Sequence, residues 1–438
     1  MTGDFITRTV GKGVLIAKPT GEWVYVRDSS RLSNPRVMQA IKRRFDRQSW
    51  IPKHIVGRIR QFFAGGPSLH IVHPTLRCNY ACIYCFARKD GEDLDEDLAK
   101  QTVDLIFTTN RPGFTIEFQG GEPLLRFDIV RFVIDYAKEK ARETGKNVHF
   151  ALVSNLSMMD EDIADYLMKN NVALNSSFDG PRELQEKQRI YTKGSSYDIL
   201  LYWYEYFRDT YDYIIPLMPT ITKYSFDYWK EIVDEYYKLG QPSIWIRPMR
   251  PSNHRNLAVW PKIGYTAEEF MQFYRKVFWR AFEYGMREHL MEYVLDRLFT
   301  YNRTNTDVFT PCGAGRVQIA YMPNGDIYTC QEGTNYPDFK IGKVQEIQSV
   351  MDLMNRSILM EMSIASYMPT HTQCLRCPYQ LRCFTCPVIN KTLTGSMYKI
   401  NDYMCKMNQM LFDFALENID RIWSFYGIPR WLYNLHVM

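Results

Sequence analysis

Cys78, Cys82 and Cys85 stand in the run Leu76-Arg77-Cys78-Asn79-Tyr80-Ala81-Cys82-Ile83-Tyr84-Cys85, directly after a short apolar segment, Leu69 to Val72. The C-x3-C-x2-C spacing forces one loop to gather three sulfurs, and no other feature constrains the fold as strongly. Three close thiolates can hold three irons of a cubane 4Fe–4S cluster and leave the fourth iron open to a small molecule. Zinc asks for a fourth Cys or His at paired spacings, and the loop has none. His73 lies upstream, inside the expected strand.

From residue 69 onward the pattern alternates between strand and helix. The apolar periodicity predicts strands over 69–75, 114–119, 147–153, 172–178, 213–219 and 243–247. Helices are expected between them, over 94–108, 127–143, 160–170, 197–209 and 226–239. Such alternation implies parallel pairing with right-handed crossovers. The fold class is therefore α/β, a partial (β/α)6 TIM-like barrel, with its site at the carboxyl ends of the strands. A small N-terminal α+β module precedes it. There a hairpin is expected over 13–27 and basic helices over 35–47 and 53–63, before Gly65-Gly66-Pro67 breaks the pattern. A long helix is expected over 266–300, then a cysteine-dense region over 312–405 and a helical, aromatic-rich tail. The expected units are 1–66, 67–300, 301–410 and 411–438.

Composition narrows the function classes. A net charge of +5 is too small to argue for nucleic acid. Residues 31–62 carry nine Lys or Arg against one acid, Asp46, which suits a solvated helix face or a dock for an acidic peptide. No run approaches the roughly 18 apolar residues of a membrane span. The first residues lack a secretory pattern, so the expected compartment is the reducing cytoplasm. There, ten cysteines suggest metal or catalysis rather than disulfides.

Polar motifs recur at successive strand ends. After the second strand comes Gly120-Gly121-Glu122-Pro123, where glycines let the backbone approach a ligand and a carboxylate can grip an amine. After the third, Ser154 and Asn155 suit ribose hydroxyls. After the fourth come Ser177 and then Arg189, which can meet a carboxylate. Tyr84, just before the last loop cysteine, offers a flat face to a flat ligand.

With these residues in place the chain resembles a radical S-adenosylmethionine (radical SAM) enzyme. The resemblance implies that Cys78, Cys82 and Cys85 ligate the cluster whose free iron chelates S-adenosylmethionine, making them the catalytic cysteines. It places Tyr84 at adenine and Gly120, Gly121 and Glu122 at the methionyl amine. It also implies reductive cleavage to a 5′-deoxyadenosyl radical that takes a hydrogen atom from an unactivated carbon. The remaining cysteines follow C-x12-G-x4-C, then C-x2-C-x5-C-x2-C, then C. This is similar to the SPASM extension of that family, which holds two auxiliary 4Fe–4S clusters. Carried over, Cys374, Cys377, Cys383 and Cys405 hold one, and Cys312, Cys330 and Cys386 hold the other through three thiolates. The last spacing is x2 where the family's is x3. Four of these cysteines would also suit zinc, but that leaves Cys312, Cys330 and Cys405 without roles.

The resemblance covers roughly 69–405 and looks closest to maturases of ribosomally made peptides, including the His-Xaa-Ser-system type. It implies a peptide or protein substrate that receives a crosslink or oxidation, and a reductant such as flavodoxin or ferredoxin. The N-terminal module would bind a leader segment by strand addition. Neither nucleic acid nor membrane is an expected partner. One alternative is a sulfatase-type maturase making formylglycine, but those carry an acid where Gln331 stands. Another is a non-catalytic zinc-binding regulatory protein. Glu332, Asp326 and Tyr328 are candidate substrate bases by position alone.

Overall fold

The computed structural model describes residues 5–18, 22–48, 65–89, 91–299 and 313–438. The expected helix over 53–63 lies outside them, as does Cys312. Three antiparallel strands open the chain: β1 (Ile6–Val10), β2 (Gly13–Ala17) and β3 (Trp23–Val26). The expected hairpin is β2–β3. β1 escaped notice because Thr7, Arg8 and Thr9 interrupt its apolar signal. The helix Pro35–Gln48 lays Ile41 and Phe45 on Ile16, Val24 and Val26, and its basic residues Arg36, Lys42 and Arg43 face solvent. The far edge of β3 is covered. Met438 N donates to Tyr25 O at 2.9 Å, Arg27 N donates to Met438 O at 3.0 Å, and His436 stacks on Trp23.

The central sheet starts with β4 (Leu69–Val72), which runs into the cysteine loop and its two-residue strand β5 (Ala81–Cys82). Beside β4 stand β6 (Gly113–Phe118), β7 (Asn147–Ser154) and β8 (Val172–Ser177), all parallel. β6 alternates buried and half-buried residues, so Phe114, Ile116 and Phe118 share one face. Leu152 and Leu174 continue that core, each buried side chain contributing about 1.5–3 kcal/mol. The helix Phe127–Thr144 packs on it through Ile129, Val130, Val133, Ile134 and Ala137, a 3.6-residue stripe ended by Gly145 in the left-handed region. The crossover helices start at Asp95 and Asp160, whose carboxylates accept N–H bonds from Leu98 and Ile163.

Beyond β8 the expected strands are shorter. A two-residue β9 (Arg189–Ile190) pairs antiparallel with β5. The strand expected over 213–219 is β10 (Leu217–Met218) on β8, followed by β11 (Thr220–Ile221). Pro219 divides the two because it brings no N–H to the ladder. The strand expected over 243–247 divides into β12 (Ser243–Ile244) and β13 (Arg247–Pro248), and β13 pairs parallel with β11. The expected long helix over 266–300 is two, Ala267–Glu283 and His289–Phe299. Gly285, at φ +72°, ends the first, and β14 (Arg287–Glu288) between them pairs with β12. On the other side of β4 the sheet continues through parallel β15 (Gln318–Tyr321) and antiparallel β16 (Asp326–Tyr328) and β17 (Lys340–Lys343). No helix among the described residues is long and apolar enough to cross a membrane.

Candidate active site

The cysteine loop is fixed from several sides. Gly121 N donates to Thr75 O at 3.0 Å and Glu122 N to Arg77 O at 2.8 Å. A Cβ on Gly120 would meet Thr75 O at 2.4 Å, and one on Gly121 would meet Arg77 O at 1.9 Å. The two glycines therefore admit the backbone of the cysteine loop. Arg77 forks onto Asp93 at 2.9 and 2.6 Å. From the opposite side Asn256 donates to Tyr84 O and Asn253 to Phe86 O, at 3.0 and 2.7 Å.

Held this way, the Cys78, Cys82 and Cys85 thiols lie within electrostatic reach of one another. Burial pushes Cys82 up to about 12 and raises Cys78 as well.

The strand-end residues converge, but largely on each other. Glu122 Oε1 accepts from Ser154 Oγ at 2.6 Å and Leu124 N at 3.1 Å, and Oε2 accepts from Asn155 N at 2.8 Å. Burial raises its carboxyl to about 7 against those donors. Three of its four acceptor positions are thus taken, leaving one on Oε2 for an amine. Ser154, expected at a ribose, instead bonds Glu122 and caps Leu156 N. Asn155 donates to Asn79 at 3.0 Å and accepts from Ser157 N. Ser177 stands half-buried at the end of β8.

Arg189 does meet a carboxylate, but it is Asp179 of this chain, at 3.1 Å through two donors. Tyr84 donates to the same Asp179 at 2.6 Å, and its buried ring lies 5.2 Å beneath the Arg189 guanidinium. Both are thereby tied into the wall of the site. Asp179, two residues after Ser177, has no role in the sequence reading, nor do Arg247, Arg250, Asn253 and Asn256. The signal of the last three was available, since Met249-Arg250-Pro251-Ser252-Asn253 follows the sixth strand, which ends near Arg247, as the other motifs follow theirs.

The C-terminal cysteines fall into two places. Cys374, Cys377, Cys383 and Cys405 act electrostatically on one another. Burial pushes Cys374 and Cys383 up to about 12. Cys330 and Cys386 lie apart from them, in the wall of a cavity of about 680 Å³ that also reaches Phe86 at the cysteine loop. Glu332 lines this cavity too, with Oε1 accepting from Arg250 at 3.0 Å and Oε2 3.6 Å from Cys386 Sγ. Burial opposes its ionisation, yet Arg250 and Arg247 hold its carboxyl below the usual range. Asp326, paired with Lys340 at 2.5 Å, and the buried Tyr328 do not line the cavity.

These donor sets fit iron–sulfur ligation. They are soft thiols, and several accept N–H bonds of the kind that tunes cluster sulfurs. Tyr80 N reaches Cys78 at 3.4 Å, Gly333 N reaches Cys330 at 3.3 Å, Asn408 Nδ2 reaches Cys383 at 3.5 Å and Gln409 Nε2 reaches Cys405 at 3.2 Å. Among the described residues no three His, Cys, Asp or Glu side chains are gathered to hold a single metal ion. A cubane, by contrast, spreads its thiolates over several irons.

Residues 72–236 match the radical SAM superfamily. The chain carries a radical SAM domain, and the cofactors of that family are a 4Fe–4S cluster and S-adenosylmethionine. It is 20% identical over 306 residues to the radical SAM cyclopropyl synthase TigE of Paramaledivibacter caminithermalis, 64% of this chain and 60% of that one. Its fold matches anSMEcpe with bound AdoMet and Kp18Cys peptide, with TM-score 0.71, 16% identity, and 82% of this chain and 99% of that one covered. It also matches Streptococcus suis SuiB bound to its precursor peptide SuiA, with TM-score 0.62, 15% identity, and 92% and 98% covered. The fold is thus that of radical SAM enzymes with a partial barrel of parallel strands. The chain thus carries a radical SAM domain and is similar to a radical SAM cyclopropyl synthase and to a sulfatase-maturating enzyme.

Proposed function

We propose that this enzyme modifies a peptide or protein, abstracting one hydrogen atom from it to install a crosslink or an oxidised side chain. The observation that carries the reading is the cavity of about 680 Å³, which runs from Phe86, beside the first cysteine loop, to Cys330 and Cys386. In this reading Cys78, Cys82 and Cys85 hold the first cluster, and Glu122 turns its remaining acceptor to the methionyl amine. The quartet Cys374, Cys377, Cys383 and Cys405 holds one auxiliary cluster, and Cys330 and Cys386, with Cys312, hold the other. Bound there, the cluster and S-adenosylmethionine supply a 5′-deoxyadenosyl radical. The chain's part is to exclude water and orient the peptide. Trp245, Tyr293 and Phe384 give the cavity apolar walls.

The Kp18Cys peptide bound to anSMEcpe and the precursor peptide SuiA bound to SuiB support a peptide-like substrate. An external one-electron reductant such as flavodoxin or ferredoxin, and the cytoplasm, complete the proposal. A leader segment adding a strand to β3 would have to displace residues 436–438. The formylglycine alternative loses support from Gln331, and Glu332 beside it is tied to Arg250.

Anaerobic reconstitution tests the reading. About twelve irons per chain, S-adenosylmethionine cleavage to 5′-deoxyadenosine and a mass change in a peptide encoded beside this gene are expected. A colourless protein that binds only zinc would sink it.

A further inference from the structure

Arg247 opens β13 at the carboxyl end of the sheet and faces the large cavity. It is half-buried and lines that cavity. Among the described residues the only hydrogen bond of its side chain runs from Nη1 to the thioether of Met218, at 3.7 Å, and a thioether is a weak acceptor. A guanidinium carries five N–H donors in a fixed fork, so most of this one is unspent. Three residues on, Arg250 lines the same cavity and reaches Glu332 at 3.0 Å. Glu332 is the carboxylate that acts on both arginines. Glu332 is thus bonded to Arg250, while Arg247 makes no hydrogen bond to it among the described residues, so the Arg247 fork keeps donors to offer.

The surroundings strengthen what those donors can hold. Trp245, Met249 and Phe384 line the cavity around the pair. Among apolar walls an uncompensated charge is costly, and a matching anion is held more firmly than in water. Burial, with Arg250 nearby, lowers the Arg247 guanidinium to about 10, although Glu332 opposes the shift. The fork matches the two oxygens of a carboxylate.

We propose that Arg247, backed by Arg250 and Glu332, binds a carboxylate of the substrate peptide, so that the cavity selects acidic peptides. This rests on the peptide-modifying reading above. The methionyl carboxylate of S-adenosylmethionine shares the same chemistry, and the experiment separates the two sources.

The test is equilibrium dialysis of the anaerobically reconstituted full chain at fixed ionic strength. The probes are acetyl-Ala-Glu-Ala-amide, its Gln counterpart and S-adenosylmethionine. The wild type should retain the Glu peptide about tenfold more tightly than the Gln peptide, as expected for a charge-assisted fork. Arg247→Met should abolish that preference and leave S-adenosylmethionine retention unchanged. Arg247→Lys, which keeps the charge and loses the fork, should retain part of the preference if the Met variant fails to fold. Equal retention of the two peptides by the wild type, or no retention of either, overturns the proposal. So does an Arg247→Met protein that loses S-adenosylmethionine, because the guanidinium then serves the cofactor. Failure of the wild type to bind S-adenosylmethionine at all would instead defeat the peptide-modifying reading.

Discussion

Gly121 lies so close beneath Arg77 that a Cβ on it would sit 1.9 Å from the Arg77 carbonyl oxygen. The loop after β6 and the cysteine loop after β4 thus share one backbone interface. Its hydrogen bonds, Gly121 N to Thr75 O and Glu122 N to Arg77 O, set the height of Cys78 above the sheet.

Gly121→Ala is therefore expected to push the two loops apart, because the clash is with backbone and no side chain can swing away. Overpacking of this kind costs about 1–3 kcal/mol. The iron of the first cluster should fall selectively, from about twelve to about eight atoms per chain, while the C-terminal quartet keeps its own. Iron counting with electron paramagnetic resonance of the reduced protein checks this. A variant with full iron and unchanged spectra would show that the interface does not position the loop.

Asp179 anchors a second wall of the site. It accepts from Arg189, Tyr84 and Thr220 N, and it is fully buried. Asp179→Asn leaves the buried Arg189 uncompensated, which is expected to cost about 3–5 kcal/mol. Adding Arg189→Met should return much of that loss, since the orphaned charge goes with it. A double-mutant cycle by urea unfolding reads the coupling. Additive losses would mean that the pair does not act as a unit.

Much of this was legible in the sequence, and the remainder was hidden for physical reasons. The Cys78–Cys85 loop and the motifs at 120–122, 154–155 and 177 follow strands whose apolar runs are short and bounded, so the mouth of the sheet could be located before its geometry. What the motifs bond to could not be read. Ser154 meets Glu122 because two strand ends fold together, and Arg189 returns to Asp179 across the short helix Arg182–Gln188, and periodicity carries no trace of either pairing. β15 was hidden because its four residues, Gln318–Tyr321, pair with β4 from far along the chain and carry no crossover helix to announce them. The split at Gly285 was hidden because apolar helical spacing continues on both sides of it.

Glu288 gives a prediction in pH. It is fully buried, accepts from the Tyr274 hydroxyl and from Ile246, Leu290 and Met291 N, and burial raises its carboxyl from 4.5 to about 7. Below about pH 4.5 both folded and unfolded chains hold the proton. Between there and about pH 7 the folded chain keeps a proton that the unfolded chain has released. This group's contribution to stability therefore falls as pH rises through that window, by on the order of 3 kcal/mol, and is flat above it. Glu288→Gln cannot titrate. The difference in unfolding free energy between wild type and variant should therefore shrink between pH 5 and pH 7.5. A difference independent of pH would refute the burial argument.

The two places occupied by the C-terminal cysteines predict separable losses. Cys383 stands with Cys374, Cys377 and Cys405, and Asn408 Nδ2 donates to its sulfur. Cys386, only three positions on, faces the cavity beside Glu332. The tight C-x2-C spacing would let both join one zinc site, but the chain turns between them and sends the second thiol to the other side. If two auxiliary clusters are present, Cys383→Ala and Cys386→Ala should each remove about four irons and should remove different spectral components. Cys383→Ala should leave peptide retention in the cavity unchanged, because its sulfur lies behind the wall. Cys386→Ala should alter retention, because its sulfur is part of the lining. Identical spectra for the two variants would mean that both thiols serve one metal centre, and the assignment of the seven C-terminal cysteines to two clusters would fall.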